Sequence, residues 1–218
     1  MSRDAQHLQS RFTVSQLSRW TGWVLFAALF CTCFTACQDR PTSLTVALNY
    51  FPSNTISNAW ALPPGQGKIY ILPVDDERKG DKTKIGENLE DPTKVVPISS
   101  GLPAPADWLH DTLGDVLRNN GLNVVTSADD ADLMMNVTLT VLWVNEADDY
   151  NGQITMIIKI QDKNGKVLFT ATTSGQYELS GKSLTSSNYS QVLSNSLYAA
   201  VNRLLNAPGF QQSLVVGH

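Results

Sequence analysis

Apolar positions along this chain recur with two periods. From Leu133 to Val144 they alternate: Leu133, Met135, Val137, Leu139, Val141 and Trp143 face one way, with Asn136, Thr138 and Thr140 on the other. A period of two predicts a strand with one buried face, and it places Trp143 in the core. Ile154, Met156, Ile158 and Ile160 repeat the pattern, and Val167–Tyr177 returns after the turn Asp162-Lys163-Asn164-Gly165-Lys166. These three segments predict an antiparallel meander. Helical spacing appears twice. Leu109, Leu113, Val116 and Leu117 form one stripe in a segment with Pro105 at its start and Gly121 past its end. Leu193, Leu197, Val201, Leu204 and Leu205 form another between Ser186 and Asn206, stopped by Pro208-Gly209.

Shorter apolar runs complete the layout. Thr42–Tyr50 and Lys68–Val74 read as strands, Leu122–Val125 as a brief one. Between Lys68–Val74 and the first helix lies DDERKGDKTKIGENLEDP, whose charge density predicts a long exposed loop. Two amphipathic helices and a half-buried sheet cover each other in two layers. The expected architecture is α+β, with a mostly antiparallel sheet and both helices on one face. The domain is expected over 68–210, with 211–218 as a tail and no internal repeat.

Composition narrows the class. The 218 residues are 42% hydrophobic and 17% charged, with net charge −4. That is ample apolar content for one core. No Lys/Arg cluster marks a nucleic-acid footprint, so no nucleic-acid partner is expected.

The first 36 residues change the picture most. Arg3, Arg11 and Arg19 precede the apolar run from Trp20 to Ala36, the charge order of a secretory signal. All three cysteines follow closely: Cys31, Cys33 and Cys37. A metal site would need a fourth ligand nearby and would place thiolates in an apolar run, where they are costly. Phe34-Thr35-Ala36-Cys37 instead resembles the lipobox of bacterial lipoproteins, with Phe34 where Leu is usual. That resemblance implies cleavage before Cys37 and diacylglycerol on its sulfur. Residues 1–36 would be the signal peptide, 37–67 the lipidated N-terminus and a tether holding one strand. Gln38 after the lipidated residue implies sorting to the outer membrane, facing the periplasm. Two or more acyl chains hold a protein stably on a bilayer. The processed chain would contain no second cysteine, which excludes an internal disulfide and thiol catalysis.

Catalytic chemistry is sparse in what remains. His110 lies off the apolar stripe of the first helix and His218 ends the chain, neither with a visible catalytic partner. Asp75, Asp76, Glu77, Asp81, Glu87, Glu90 and Asp91 are interleaved with Arg78, Lys79, Lys82 and Lys84, and lack a calcium-loop spacing. Asp129, Asp130 and Asp132 fit a turn. The Gly181-Lys182-Ser183 triplet lacks the glycine five residues earlier that a phosphate loop needs, since Gln176 stands there. No metal or cofactor is expected. Trp108, near the start of the first helix, is expected in the core, with a partner contact as the alternative.

The order of segments resembles the YajG-type family of small bacterial lipoproteins. The likeness rests on the lipobox, TVALNYFPS, VDDERKGDKTKIGE, PAPADWLHDTLGDVLRNNG, ADLMMNVTLTVLWV, the Asn164-Gly165 hairpin and AAVNRLLNAPGF. It implies an envelope protein with a compact α+β domain and assigns no catalytic residue. The expectation is a non-enzymatic envelope lipoprotein acting as a binding or assembly accessory. Its partners would be the membrane, through lipid on Cys37, and an envelope protein met by Asp76, Arg78, Lys79 and Asp81. Alternatives are an accessory subunit of a transport or export machine, and a cell-wall hydrolase working through carboxylates.

Overall fold

The computed structural model describes residues 41–53 and 65–215. Cys37, Trp60 and His218 lie outside them. Three strands of 14 residues form the body of the sheet: β7 (Leu133–Glu146), β8 (Asp149–Asp162) and β9 (Val167–Ser180), paired antiparallel in that order. The Asp162 carboxylate caps the predicted turn, accepting from the N–H groups of Asn164 and Lys166 at 2.9 Å, with Gly165 at φ +80°. The other edge of β7 is lined end to end by three short parallel strands. These are β2 (Ile69–Ile71), β3 (Asp75–Asp76) and β4 (Lys84–Asn88). Outside β4 lie β5 (Val96–Ser100), antiparallel to it, and β1 (Leu44–Val46), parallel to β5; β6 (Val124–Val125) flanks β2. The fold is α+β with a mostly antiparallel sheet, as the apolar pattern predicts.

Both long helices lie on one face. Helix α1 (Pro105–Asn119) buries Trp108, Leu109, Leu113 and Leu117, and its Gly114 sits against Ile71. Gly121, at φ +86°, ends it, with Leu122 N–H returning to the Leu117 carbonyl and Gly121 N–H to Arg118, a left-handed helix stop. Helix α2 (Ser186–Leu205) lies directly on β8 and β9. A Cβ on Gly175 would meet the Ser196 carbonyl oxygen at 1.9 Å, and one on Gly152 the Val192 side chain at 2.3 Å. Small polar residues on α2 also bind the chain leaving β1. Ser190 donates to the Ala47 carbonyl, Ser194 accepts from Phe51 N–H, and Asn195 accepts from Ser53 N–H.

Three expectations change, and one strand, β5, is new. The 75–91 stretch contains β3 and β4 and buries Ile85 and Asn88 completely, because Ile85, Gly86 and Asn88 turn inward while its lysines and carboxylates stay exposed or half-buried. Strand β5 was hidden by its shortness and by Pro97. The 37–67 tether loses its described part: β1 is paired in the sheet, and Val46 and Leu48 are buried. The 211–218 tail begins inside α3 (Phe210–Ser213), which packs Phe210 against Phe169 edge-on and buries Leu214.

One buried charge sits at the end of the sheet. Glu146 is fully buried on the helix face of β7. Its carboxylate accepts from Tyr189 Oη–H at 2.6 Å and from the N–H groups of Leu184 and Ser183 at 2.8 and 2.9 Å. Burial pushes this carboxyl up, but the Tyr189 and Leu184 bonds, with Asn88 and Tyr150, outweigh it and hold it below the usual glutamate range. Burial and the same bond push the Tyr189 phenol well above its ordinary value. Leu184 takes φ +46°, a left-handed conformation uncommon for a branched side chain, and its N–H meets the carboxylate.

Two measurements follow from this packing. Gly175→Ala is expected to cost about 3 kcal/mol or more in urea unfolding, because the clash is with backbone. Because its pKa is depressed, ionised Glu146 stabilises the fold above its unfolded value, about 4.3, and this is lost as pH falls through the folded value. Glu146→Gln should therefore cost about 2 kcal/mol near neutrality. The gap between variant and parent should hold at neutral pH and shrink as the pH falls below the unfolded value, about 4.3.

Candidate recognition cleft on the open face

β7 is not one uninterrupted alternation. Leu139 pairs with Met156 but Val141 with Thr155, so Thr140 is an extra residue, a β-bulge. Up to Leu139 the odd-numbered side chains face the helices. Beyond the bulge Leu142, Val144 and Glu146 face them instead. Trp143 therefore leaves the core and stands half-buried on the face without helices, a correction to the position its spacing predicts. Its Nε1–H donates to Asn145 Oδ1 at 2.7 Å, and the Lys84 ammonium lies 5.4 Å from the ring centroid. Trp108, by contrast, is 3% exposed and belongs to the core.

The link from β3 to β4 arches beside this ring. Its shape comes from an inward-folded arginine. Arg78 Nε–H donates to both Asp76 oxygens at 2.9 and 3.2 Å, and Nη2 donates to Asp76 Oδ2 at 2.7 Å. The rest of the guanidinium holds the loop's own backbone, with Nη1 donating to the Lys84 carbonyl at 3.0 Å and Nη2 to that of Lys82. Arg78 is 7% exposed despite its charge. Burial pushes the Asp76 carboxyl up; the Arg78 bonds, with the charges of Arg78 and Lys82, outweigh that and hold it below the usual aspartate range. Asp81 Oδ1 accepts from Thr83 N–H at 2.9 Å and Oγ1–H at 2.8 Å, and these bonds lower its pKa. Gly80 turns the chain at φ +79°.

Between loop and strand lies a cleft of about 400 Å³, lined by Arg78, Lys79, Gly80, Asp81, Lys84 and the β7 segment 140–143. Of the four residues expected to form an interaction surface, Arg78, Lys79 and Asp81 line this cleft and Asp76 stands behind it as the partner of Arg78. Trp143, Lys84 and Thr140 are additions that the spacing missed. After Leu139 both phases of the alternation are apolar, Val141/Trp143 and Leu142/Val144, and only the charge at Glu146 hints that something shifts. His110 is elsewhere, with Nε2 3.3 Å from the Ile71 carbonyl and Nδ1 3.0 Å from Asp111 Oδ1. Asp132 accepts from Lys68 N–H at 3.0 Å. Among the described residues no group of three His, Cys, Asp or Glu side chains could hold a metal ion. The cleft presents a ring, cations and strand backbone, and the carboxylate that lines it, Asp81, is already engaged with Thr83.

No protein-family model and no characterised protein sequence matches the chain. Solved structures do. A Xanthomonas campestris protein of the DUF330 family superposes with a TM-score of 0.52 at 14% identity, over 78% of this chain and 93% of its own. A Caulobacter crescentus protein provisionally named a lipoprotein gives 0.39 at 12% identity, over 49% and 80%. PelC from Paraburkholderia phytofirmans, crystallised as a dodecamer, gives 0.38 at 14%, over 65% and 92%. The Xanthomonas match shows a shared fold and nothing of activity; the other two are too distant to show even that.

The two tryptophans test the displaced register. Trp108→Ala is expected to cost about 3–5 kcal/mol in chemical denaturation. Trp143→Ala should cost about 1 kcal/mol, the scale of a partly exposed cation–π contact. Equal losses would return Trp143 to the core.

Proposed function

We propose that this chain is a bacterial cell-envelope lipoprotein, anchored through diacylglycerol on Cys37, whose domain serves as a non-enzymatic binding or assembly accessory. The observation that carries this reading is Phe34-Thr35-Ala36-Cys37 behind a basic, then apolar, leader. The order of segments shared with the YajG-type lipoproteins supports it. Gln38 supports the outer membrane, periplasmic side, as the site of anchoring.

The fold adds a distance. Seven residue steps separate Cys37 from Leu44, where β1 begins. Fully extended, they reach about 25 Å. An acyl anchor on Cys37 would therefore hold the domain close to the bilayer, without a long spacer. The domain carries the cleft beside Trp143. Its chemistry supports binding over catalysis: Asp76 is paired with Arg78, Asp81 caps Thr83, and His110 stands apart.

Cys37→Ser tests the anchor. The variant should lose incorporation of labelled palmitate and appear as soluble protein or unprocessed precursor, whereas Cys31→Ser and Cys33→Ser should behave as the parent. Retention of the Cys37→Ser protein in membranes at processed size would overturn the reading.

A further inference from the structure

We propose that the cleft between residues 78–84 and β7 receives a short acidic segment of a partner protein in extended form. This deepens the reading of the domain as a binding accessory and rests on it. The first ground is a missing strand. β3 pairs with β7 up to Asp76–Leu139, and the pairing of β4 with β7 begins at Gly86–Val144. Residues 140–143 have no ladder partner among the described strands on that side, a stretch of roughly 13 Å at the usual rise. Leu142 turns its side chain into the core, so what it presents to the cleft is backbone. An extended peptide is the ligand whose own N–H and C=O groups match such an edge.

The second ground is charge. Arg78, Lys79 and Lys84 line the cleft against Asp81 alone, in a chain whose net charge is −4. Asp81 Oδ1 is committed to Thr83, and Arg78 is held by Asp76 as part of the wall. Lys79 is exposed and makes no ion pair among the described residues. Lys84 is bonded to Glu87 at 2.5 Å and lies over the Trp143 ring, which places its ammonium at the cleft wall. Lys79, with Lys84 beside it, favours an acidic segment over a basic one. The third ground is the half-exposed Trp143 ring beside Val141, a rigid apolar platform for a side chain of the incoming segment.

The long edge of β9 competes for this role and is less suited to it. β9 pairs only with β8 among the described strands, but Arg203 Nη1 donates to the Ser174 carbonyl at 2.7 Å and blocks the middle of that edge. The 140–143 gap has no comparable plug.

The test uses the full-length chain, produced in the envelope and purified in detergent, panned against a phage-displayed library of random peptides. Selected peptides should be rich in Asp and Glu. Their affinity should fall at least ~10-fold for the Lys79→Glu/Lys84→Glu double variant, since each lost charge contact is of order 1 kcal/mol. It should be unchanged for Arg203→Glu. Trp143→Phe, a gentle change, should abolish the peptide-induced shift in tryptophan emission. Thermal melting of each variant at the parent's midpoint shows that folding is intact. Neutral or basic selected peptides, an empty selection, or equal binding by the double variant would overturn the proposal. Competition by free glutamate at the peptide's own concentration would also overturn it, by marking a small-anion site. The mass of the same preparation reports lipid on Cys37, so a failed anchor and a failed peptide site are told apart.

Discussion

The carboxylate of Glu146 is the constraint around which this domain is arranged. A fully buried charge is tolerable only when its hydrogen-bonding capacity is met inside the protein. Here the partners come from three separate parts of the chain. Tyr189 belongs to α2, Ser183 and Leu184 to the approach to that helix, and Asn88 to β4. Satisfying one carboxylate therefore brings the meander, the outer strands and the C-terminal helix to a single point. The start of α2 is also where partial positive charge accumulates, so the anion and the helix end favour each other. Tyr150 and Tyr189 meet edge-on at 5.2 Å beside it and close the site to water.

From that point the placement of α2 follows. Once its first turn is held over the end of β7, the helix runs along β8 and β9, where glycines at 152 and 175 let it touch sheet backbone. The close approach explains the buried serines of α2. Ser190 and Ser194 are small enough to admit the chain after β1 and polar enough to bond its backbone. The second layer thus covers one face of the sheet, and no described element covers the face bearing Trp143.

Much of this was legible from period alone. The meander, both long helices, the Gly121 stop and the Asp162–Lys166 turn all declare themselves locally. Their alternation, caps and turn residues agree with the final packing. What escaped was non-local. β4 is written in charged residues because only Ile85, Gly86 and Asn88 need to face inward, and β5 carries a proline within five residues. Arg78 reads as a solvated charge until Asp76 is seen folded against it. Apart from the charge at Glu146, the bulge left no composition signal, since Val141/Trp143 and Leu142/Val144 are equally good candidates for burial.

That bulge joins the core to the open cleft. Were Thr140 paired regularly and not bulged, the alternation that buries Leu139 would bury Val141, Trp143 and Asn145 in turn, and Glu146 would face solvent. With the bulge, Glu146 enters the core to meet Tyr189, and the same one-residue shift puts Trp143 on the opposite face beside Lys84. Bulges concentrate where a strand must re-aim a side chain, and this one re-aims two with opposite requirements. The cleft is thus coupled to the fold through backbone register and not through shared side chains. Trp143 and Lys79 are therefore free to vary with whatever the cleft receives, whereas Glu146, Gly175 and the position of the bulge are held by the core itself.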